Sequence, residues 1–189
     1  MKKGLLIVLS GPSGVGKGTI RELFIRKPEL NIAFSISMTT RKMRQNEVNG
    51  VHYYFVTHHD FQLAIENHEL LEYAEFVGNY YGTPLKEVER LRNLGYNVLL
   101  EIEVQGALQV LDKVPDALMI FVVPPNMEEL RRRIESRKSE SVGVINARLE
   151  KASAEMELTG NYRYVVCNDD PQLAADIISV IIKRYSEAT

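Results

Sequence analysis

The sequence predicts a three-layer α/β fold: a parallel sheet covered by helices on both faces, with a small mixed α+β insert. Three observations lead there. The continuous apolar runs LLIVLS, NVLLEI and ALMIFVV read as strands buried on both faces. Amphipathic stretches with helical spacing alternate with them. Between residues 31 and 82 the texture changes to alternating apolar and polar residues, as half-buried antiparallel strands require. The chain has 189 residues, enough for one domain with a full core.

Taken in order, the first strand covers residues 4–10 and runs into LSGPSGVGKGT, Leu9 to Thr19. A helix is expected from Lys17 to Lys27, with Ile20, Leu23 and Phe24 on one face and Pro28 ending it. FSISM, VHYYFV and EYAEFV are the expected strands of the insert, and Thr57 to Asp60 has capping-box spacing for a helix over 58–68. Pro84 opens a helix that closes near Gly95. A buried strand at 97–102, a short helix at 105–113 and a strand at 117–123 follow, the last ended by Pro124-Pro125. Asn126 caps the next helix, with Glu129 three residues later. Residues 138–143 lack apolar periodicity and read as a loop. Helices over 143–158 and 171–187 flank a last strand at 163–167.

Composition narrows the function. A formal net charge of -2 argues against general nucleic-acid binding, which shows a basic excess. No apolar run approaches the roughly 20 residues of a membrane span, and the N-terminal apolar stretch is too short for a secretory leader. The single cysteine, Cys167, excludes an internal disulfide and fits a reducing cytoplasm. Its apolar neighbours Val165 and Val166 predict a packed core position rather than a nucleophile. His52, His58, His59 and His68 have no metal-ligand spacing and read as surface residues.

Four features carry chemistry. In the first, Gly11, Gly16 and Lys17 match the phosphate-loop pattern G-x-x-x-x-G-K-[ST] between a strand and a helix. Such a loop points backbone N–H groups and a helix N-terminus at one phosphate site. The whole stretch Gly11-Pro12-Ser13-Gly14-Val15-Gly16-Lys17-Gly18-Thr19 is therefore the candidate nucleotide-phosphate site. Gly18 occupies the [ST] position and offers no hydroxyl to Mg²⁺, so the ion falls to phosphates and water, with Thr19 or Glu101 as possible protein ligands.

The second feature is SISMTTRKMR, residues 35–44, where Ser37, Arg41 and Arg44 stand among further hydroxyls. Guanidinium forks match phosphate oxygens bidentately. Glu47, Tyr53, Glu72, Tyr81 and Thr83 follow within the same insert. Third, Arg133 shares a helix face with Arg137, while Arg131 and Arg132 read as a solvated basic face. Fourth, Glu101 and Glu103 point to one side of a strand whose C-terminal end can border a ligand crevice.

Together these segments resemble the guanylate kinase family along essentially the whole chain. The resemblance rests on GPSGVGKGT at 11–19, SISMTTRKMR at 35–44, EVNGVHYYF at 47–55, LEYAEFVGNYYGT at 71–83, LLEIEVQGA at 99–107 and CNDD at 167–170. It implies a P-loop NTPase core at 1–34, 84–136 and 158–189, a GMP-binding insert at 35–83 and a helical lid at 137–157. It implies transfer of the γ-phosphate of ATP to GMP, with Mg²⁺ as cofactor, in purine nucleotide metabolism. Arg41, Arg44, Tyr53 and Tyr81 would hold the GMP phosphate; Ser37, Glu72 and Thr83 would read the guanine. Arg137 and Arg148 match the lid arginines, which with Lys17 and Arg41 form the catalytic cations, and Asn168 would lie near adenine. Glu103 stands where the family usually has aspartate, near the Mg²⁺ or the GMP base. KSESVG, residues 138–143, departs from the family's glycine-threonine-acid lid sequence and bears on closure more than on the reaction.

Small nucleotides are thus the expected partners, of a monomer or homo-oligomer. Two other readings share parts of the pattern. A ribosyl bisphosphate phosphokinase on this fold would lack the guanine readers. A non-catalytic guanylate-kinase-like module often has a damaged phosphate loop, whereas Lys17 is present here.

Overall fold

The computed structural model describes residues 2–76, 78–136 and 141–188. Strand β1 (Leu6–Ser10) leads into the phosphate loop and helix α1 (Lys17–Phe24), followed by a 3₁₀ turn at Pro28–Leu30. Next come β2 (Ile32–Phe34), β3 (Met38–Thr39), β4 (Tyr54–Phe55), α2 (His58–Glu66), β5 (Leu70–Phe76) and β6 (Asn79–Pro84). The α/β rhythm resumes with α3 (Leu85–Asn93), β7 (Asn97–Glu101), α4 (Val104–Lys113), β8 (Leu118–Val123) and α5 (Met127–Glu135). Helix α6 (Val142–Met156), a 3₁₀ turn (Glu157–Asn161), β9 (Tyr164–Cys167) and α7 (Pro171–Ala188) complete the chain.

Five strands form one sheet in the order β2-β7-β1-β8-β9, with every pairing parallel. Side-chain alternation divides the core between its two faces. Ile7, Leu9, Leu99, Ile120 and Val122 pack against α1 and α7 through Phe24, Ala175 and Ile178. Leu6, Val8, Val98, Leu100 and Phe121 pack against α3 and α4 through Val88, Leu91, Ala107 and Val110. This is why the central strands read as unbroken apolar runs.

A second sheet, in the order β4-β3-β6-β5, holds the mixed region. It has its own small core of Phe61, Ala64 and Leu70. Helix α2 starts with both halves of the expected capping box: the Asp60 amide donates to Thr57 Oγ1, and the Thr57 amide donates to Asp60.

Several local expectations need correction. The β3 and β4 pair is parallel, not antiparallel. VHYYFV contributes only two strand residues, because a turn at Val51-His52 takes up its start. Two strands were not legible. β2 has three residues at the edge of the core sheet, too few to display a period. β6 spans NYYGTP, where Asn, Gly and Pro interrupt the strand formers Tyr and Thr and hide any period, and β3 and β5 pair on either side of it. Cys167 is exposed rather than packed. β9 is an edge strand, and only Tyr164 and Val166 turn into the core from it.

Replacing Thr57 with alanine removes the acceptor that caps α2. The expected loss is about 1 kcal/mol of unfolding free energy, measured from the urea midpoint of the variant against the parent.

Candidate active site

The phosphate loop wraps at the C-terminal end of β1, where open α/β sheets bind ligands. Gly16 is the N-cap of α1 with φ of 100°, a left-handed conformation that favours glycine. A Cβ there would also fall 2.5 Å from Asn168 Nδ2. Asn168 and Arg133 brace the loop from outside. Asn168 Nδ2 donates to Val15 O at 2.7 Å, while Arg133 donates to Val15 O at 3.2 Å and Asn168 O at 3.0 Å. Glu129 in turn holds Arg133 at 2.7 Å. Arg148, from α6, donates to Ser13 Oγ at 2.7 Å, which brings the second expected lid arginine onto the loop. Arg137 lies outside the described residues, as does the segment 138–140. Among the described residues, Arg131 and Arg132 make exposed contacts with Asn146, Glu135 and Glu129, as a solvated face would.

Lys17 Nζ donates to Gly11 O and Pro12 O. Burial pushes its pKa below the usual lysine value, and the charges of Glu101, Glu155 and Glu103 pull the other way. The ammonium is thus partly desolvated and, among the described residues, donates to no carboxylate, which suits it to an incoming phosphate. Gly11, Ser13, Lys17, Glu101, Glu103 and Glu155 line a cavity of about 200 Å³ here. Gly18 comes close to Glu101: a Cβ at 18 would meet Glu101 Oε1 at 3.8 Å. The missing hydroxyl position is therefore bordered by a carboxylate, which also accepts from Arg21 at 2.8 Å. Thr19 is exposed on the first turn of α1.

A second cavity, of about 280 Å³, opens between the core and the insert. Ser37, Tyr53, Glu72, Tyr81 and Glu103 all line it, so the fold gathers residues that lie up to 66 positions apart. Thr83 joins through Glu72: its hydroxyl donates to Glu72 Oε1 at 2.5 Å across the β5–β6 pair. A register irregularity between Leu70 and Glu72 lets Leu71 and Glu72 both turn toward the core, while Leu70 and Tyr73 pack into the insert. Burial raises the Glu72 pKa from 4.5 to about 7, against the opposing pull of Thr83 and Lys113.

Arg41 is held before any ligand arrives. Its guanidinium forks onto Glu47 at 2.9 and 2.7 Å and lies 5.5 Å over the Tyr53 ring. That bidentate bond, with the Arg44 amide donating to the same carboxylate, holds the Glu47 pKa down at about 2. Arg44 itself is exposed in the same turn.

Glu101 and Glu103 both face the crevice as expected, although β7 ends at Glu101 and Glu103 serves as N-cap of α4. Glu103 pairs with Lys151 of α6 at 2.7 Å, and Lys151 lies 5.5 Å from the Phe76 ring of the insert. His52 is used structurally, its Nδ1 accepting from the Val48 amide. The roles of Glu47, Arg133, Lys151 and Glu155 were not read from sequence. Each acts through a partner that only folding brings near, and a charged residue on a polar segment carries no signal of that.

The phosphate loop, at the C-terminal end of the central strand β1, thus faces a separate polar cavity across residues 101–103. The guanylate kinase family model matches residues 3–185. A guanylate kinase of Lactococcus lactis is 54% identical over 96% of this chain and 88% of its own length. One of Mycoplasma mycoides is 53% identical over 96% of this chain, which spans 61% of that longer relative. The crystal structure of guanylate kinase from Anaplasma phagocytophilum superposes with a TM-score of 0.76 at 36% identity, covering 98% of this chain and 88% of that one. The chain belongs to the guanylate kinase family.

Glu72 ties stability to pH. Its folded pKa, about 7, exceeds the unfolded 4.5, so between these values the folded protein keeps a proton that the unfolded chain has lost. Stability from this group therefore falls as pH rises through that window and levels off above it, by about 3 kcal/mol in all. Glu72→Gln cannot ionise. Its unfolding free energy relative to the parent should rise by about 2 kcal/mol between pH 5 and pH 8, read by urea titration at each pH.

Proposed function

We propose that the chain transfers the γ-phosphate of ATP to GMP, giving ADP and GDP. The observation that carries this reading is the shared wall of the two cavities. Glu101, Ile102 and Glu103 line both the phosphate-loop cavity and the insert cavity. Donor and acceptor phosphates can therefore meet at one boundary, each approaching from its own side.

In this reading residues 11–19 hold the ATP phosphates, with Lys17 on the β- and γ-phosphates. Asn168 and Arg133 hold the loop's shape, and Asn168 also lies near the adenine end. Arg41, Arg44, Tyr53 and Tyr81 take the GMP phosphate; Ser37, Glu72 and Thr83 read the base. Guanine presents adjacent N1–H and N2–H donors, which one carboxylate accepts together. Adenine offers an acceptor at N1 and no N2 amine, so it would leave Glu72 unpaired in a buried place. Ionised Glu72 is the accepting form, and guanine's donors favour it.

The acceptor phosphate is already largely ionised near neutral pH, so the reaction needs no strong general base. Its obstacle is the approach of two anions. Lys17, Arg41, Arg148 and Arg137 offset that repulsion and stabilise the charge spread over the transferring group. Segments 35–83 and 137–157 act as the acceptor insert and the lid, which exclude water as competing acceptor when they close.

Mg²⁺ fits the oxygen chemistry present. Glu101 beside Gly18, with Thr19 nearby, would hold it, and phosphates and water would complete its shell. Among the described residues no group of three or more His, Cys, Asp or Glu forms a protein cage. When bound, the ion neutralises charge on the β- and γ-phosphates. Among those residues no helix is long and apolar enough to cross a membrane, and the free Cys167 suits a reducing cytoplasm.

The test is ADP formation from Mg·ATP with GMP, AMP, CMP or UMP as acceptor. Activity with GMP alone is expected; activity with none, while ATP still binds, would sink the acceptor assignment. Lys17→Ala should lower turnover by roughly a hundredfold or more, as removal of a transition-state donor does. Glu72→Ala should mainly raise the KM for GMP and narrow the preference for GMP over AMP. Unchanged preference would remove Glu72 from base reading.

A further inference from the structure

Helix α4 belongs to the core, yet one of its faces serves the insert strand that carries Glu72. Gly106, Gln109 and Lys113 share that face by helical spacing. Gln109 clips the backbone of Tyr73 in both directions, its Nε2 donating to Tyr73 O at 2.7 Å and its Oε1 accepting from Tyr73 N at 3.1 Å. Lys113 Nζ donates to Leu71 O at 2.7 Å and Leu70 O at 3.2 Å. The strand is thus tied to the core immediately before and after Glu72.

The carboxylate itself stands over Gly106. A Cβ at position 106 would fall 2.2 Å from Glu72 Oε2 and 3.1 Å from Glu72 Cδ. Gly106 has no left-handed backbone that would call for glycine. It lies within a helix, where alanine is ordinarily the better residue. What glycine supplies here is room for one carboxylate oxygen.

The geometry points to Gly106, Gln109 and Lys113 as a seat that locks the base-reading carboxylate to the core, with Gly106 as a positioning residue for acceptor specificity. This rests on the guanine reading of Glu72. It means that the base meets a group already fixed in the free protein, whatever the rest of the insert does on closure. The other Glu72 oxygen is held by Thr83, so the side chain is set at both ends of its carboxylate. A methyl group at 106 would not have to break the helix, because its nearest neighbour is the tip of a flexible side chain. It would displace the Glu72 carboxylate, strain the Thr83 bond and turn its lone pairs away from the guanine edge.

The experiment is steady-state kinetics of Gly106→Ala with both substrates, alongside thermal unfolding. The KM for GMP should rise about tenfold or more, the usual cost of misplacing a charged hydrogen-bond acceptor. The KM for ATP should stay within about twofold, and the Tm should fall by only a few degrees, the cost of one strained buried hydrogen bond. A merely structural role would affect both substrates alike. Gln109→Leu, which keeps bulk but frees Tyr73, should raise the KM for GMP in the same direction. In a Glu72→Ala background Gly106→Ala should add nothing further, since no carboxylate remains to displace.

An unchanged KM for GMP in Gly106→Ala, with Glu72→Ala clearly impaired, overturns the seat. So does an undiminished effect in the Glu72→Ala background. If Glu72→Ala itself leaves GMP use intact, it is the base reading that fails.

Discussion

All five core strands run in one direction, and that common alignment governs the rest of the molecule. It brings the ends of β1, β7 and β9 to one edge, which places the phosphate loop, Glu101 and Asn168 within reach of each other. It also demands cover on both faces, which α1 and α7 supply on one side and α3 and α4 on the other. Two of the helices that leave the site-bearing edge then acquire second duties. α1 presents its N-terminus to phosphate, and α4 carries the face against which the insert strand is fixed.

The site built on that edge contains groups whose charges are poorly compensated without ligands. Lys17 is partly buried against carbonyl oxygens and, among the described residues, donates to no carboxylate, and Glu72 is buried with a hydroxyl and more distant help from Lys113. Both would be more comfortable in water. Each becomes well paired when its proposed ligand arrives, Lys17 with phosphate and Glu72 with two guanine donors. Binding energy at both ends therefore includes relief of a desolvation cost that folding imposed. Arg41 follows another logic: Glu47 already pairs with its guanidinium bidentately and holds it in place.

Contacts among the elements around the crevice show how the parts are coordinated. Arg148 of α6 touches the phosphate loop at Ser13, and Lys151 of the same helix bridges to Glu103 and lies against Phe76 of the insert. Arg133 of α5 supports the loop at Val15. A movement of α6 would therefore be felt at the loop, at the 101–103 wall and at the insert together. The two cavities meet at that same wall.

The sequence by itself determined the parallel α/β rhythm, the phosphate loop from Gly11 to Thr19, the caps at Thr57 and Asn126, and the membership that its motifs announced. These signals are short-range: burial on both faces yields an apolar run, and a tight turn before a helix yields glycine. Tertiary structure decided the rest. β6 is a strand because two neighbours pair with it, and Cys167 is exposed because β9 lies at an edge. Glu72 has its raised pKa through burial, and Gly106, though quoted within LLEIEVQGA, had no visible reason to be glycine until Glu72 lay over it. Burial, cross-strand pairing and a close approach between residues 34 positions apart belong to the folded chain, and no local period in the letters can encode them.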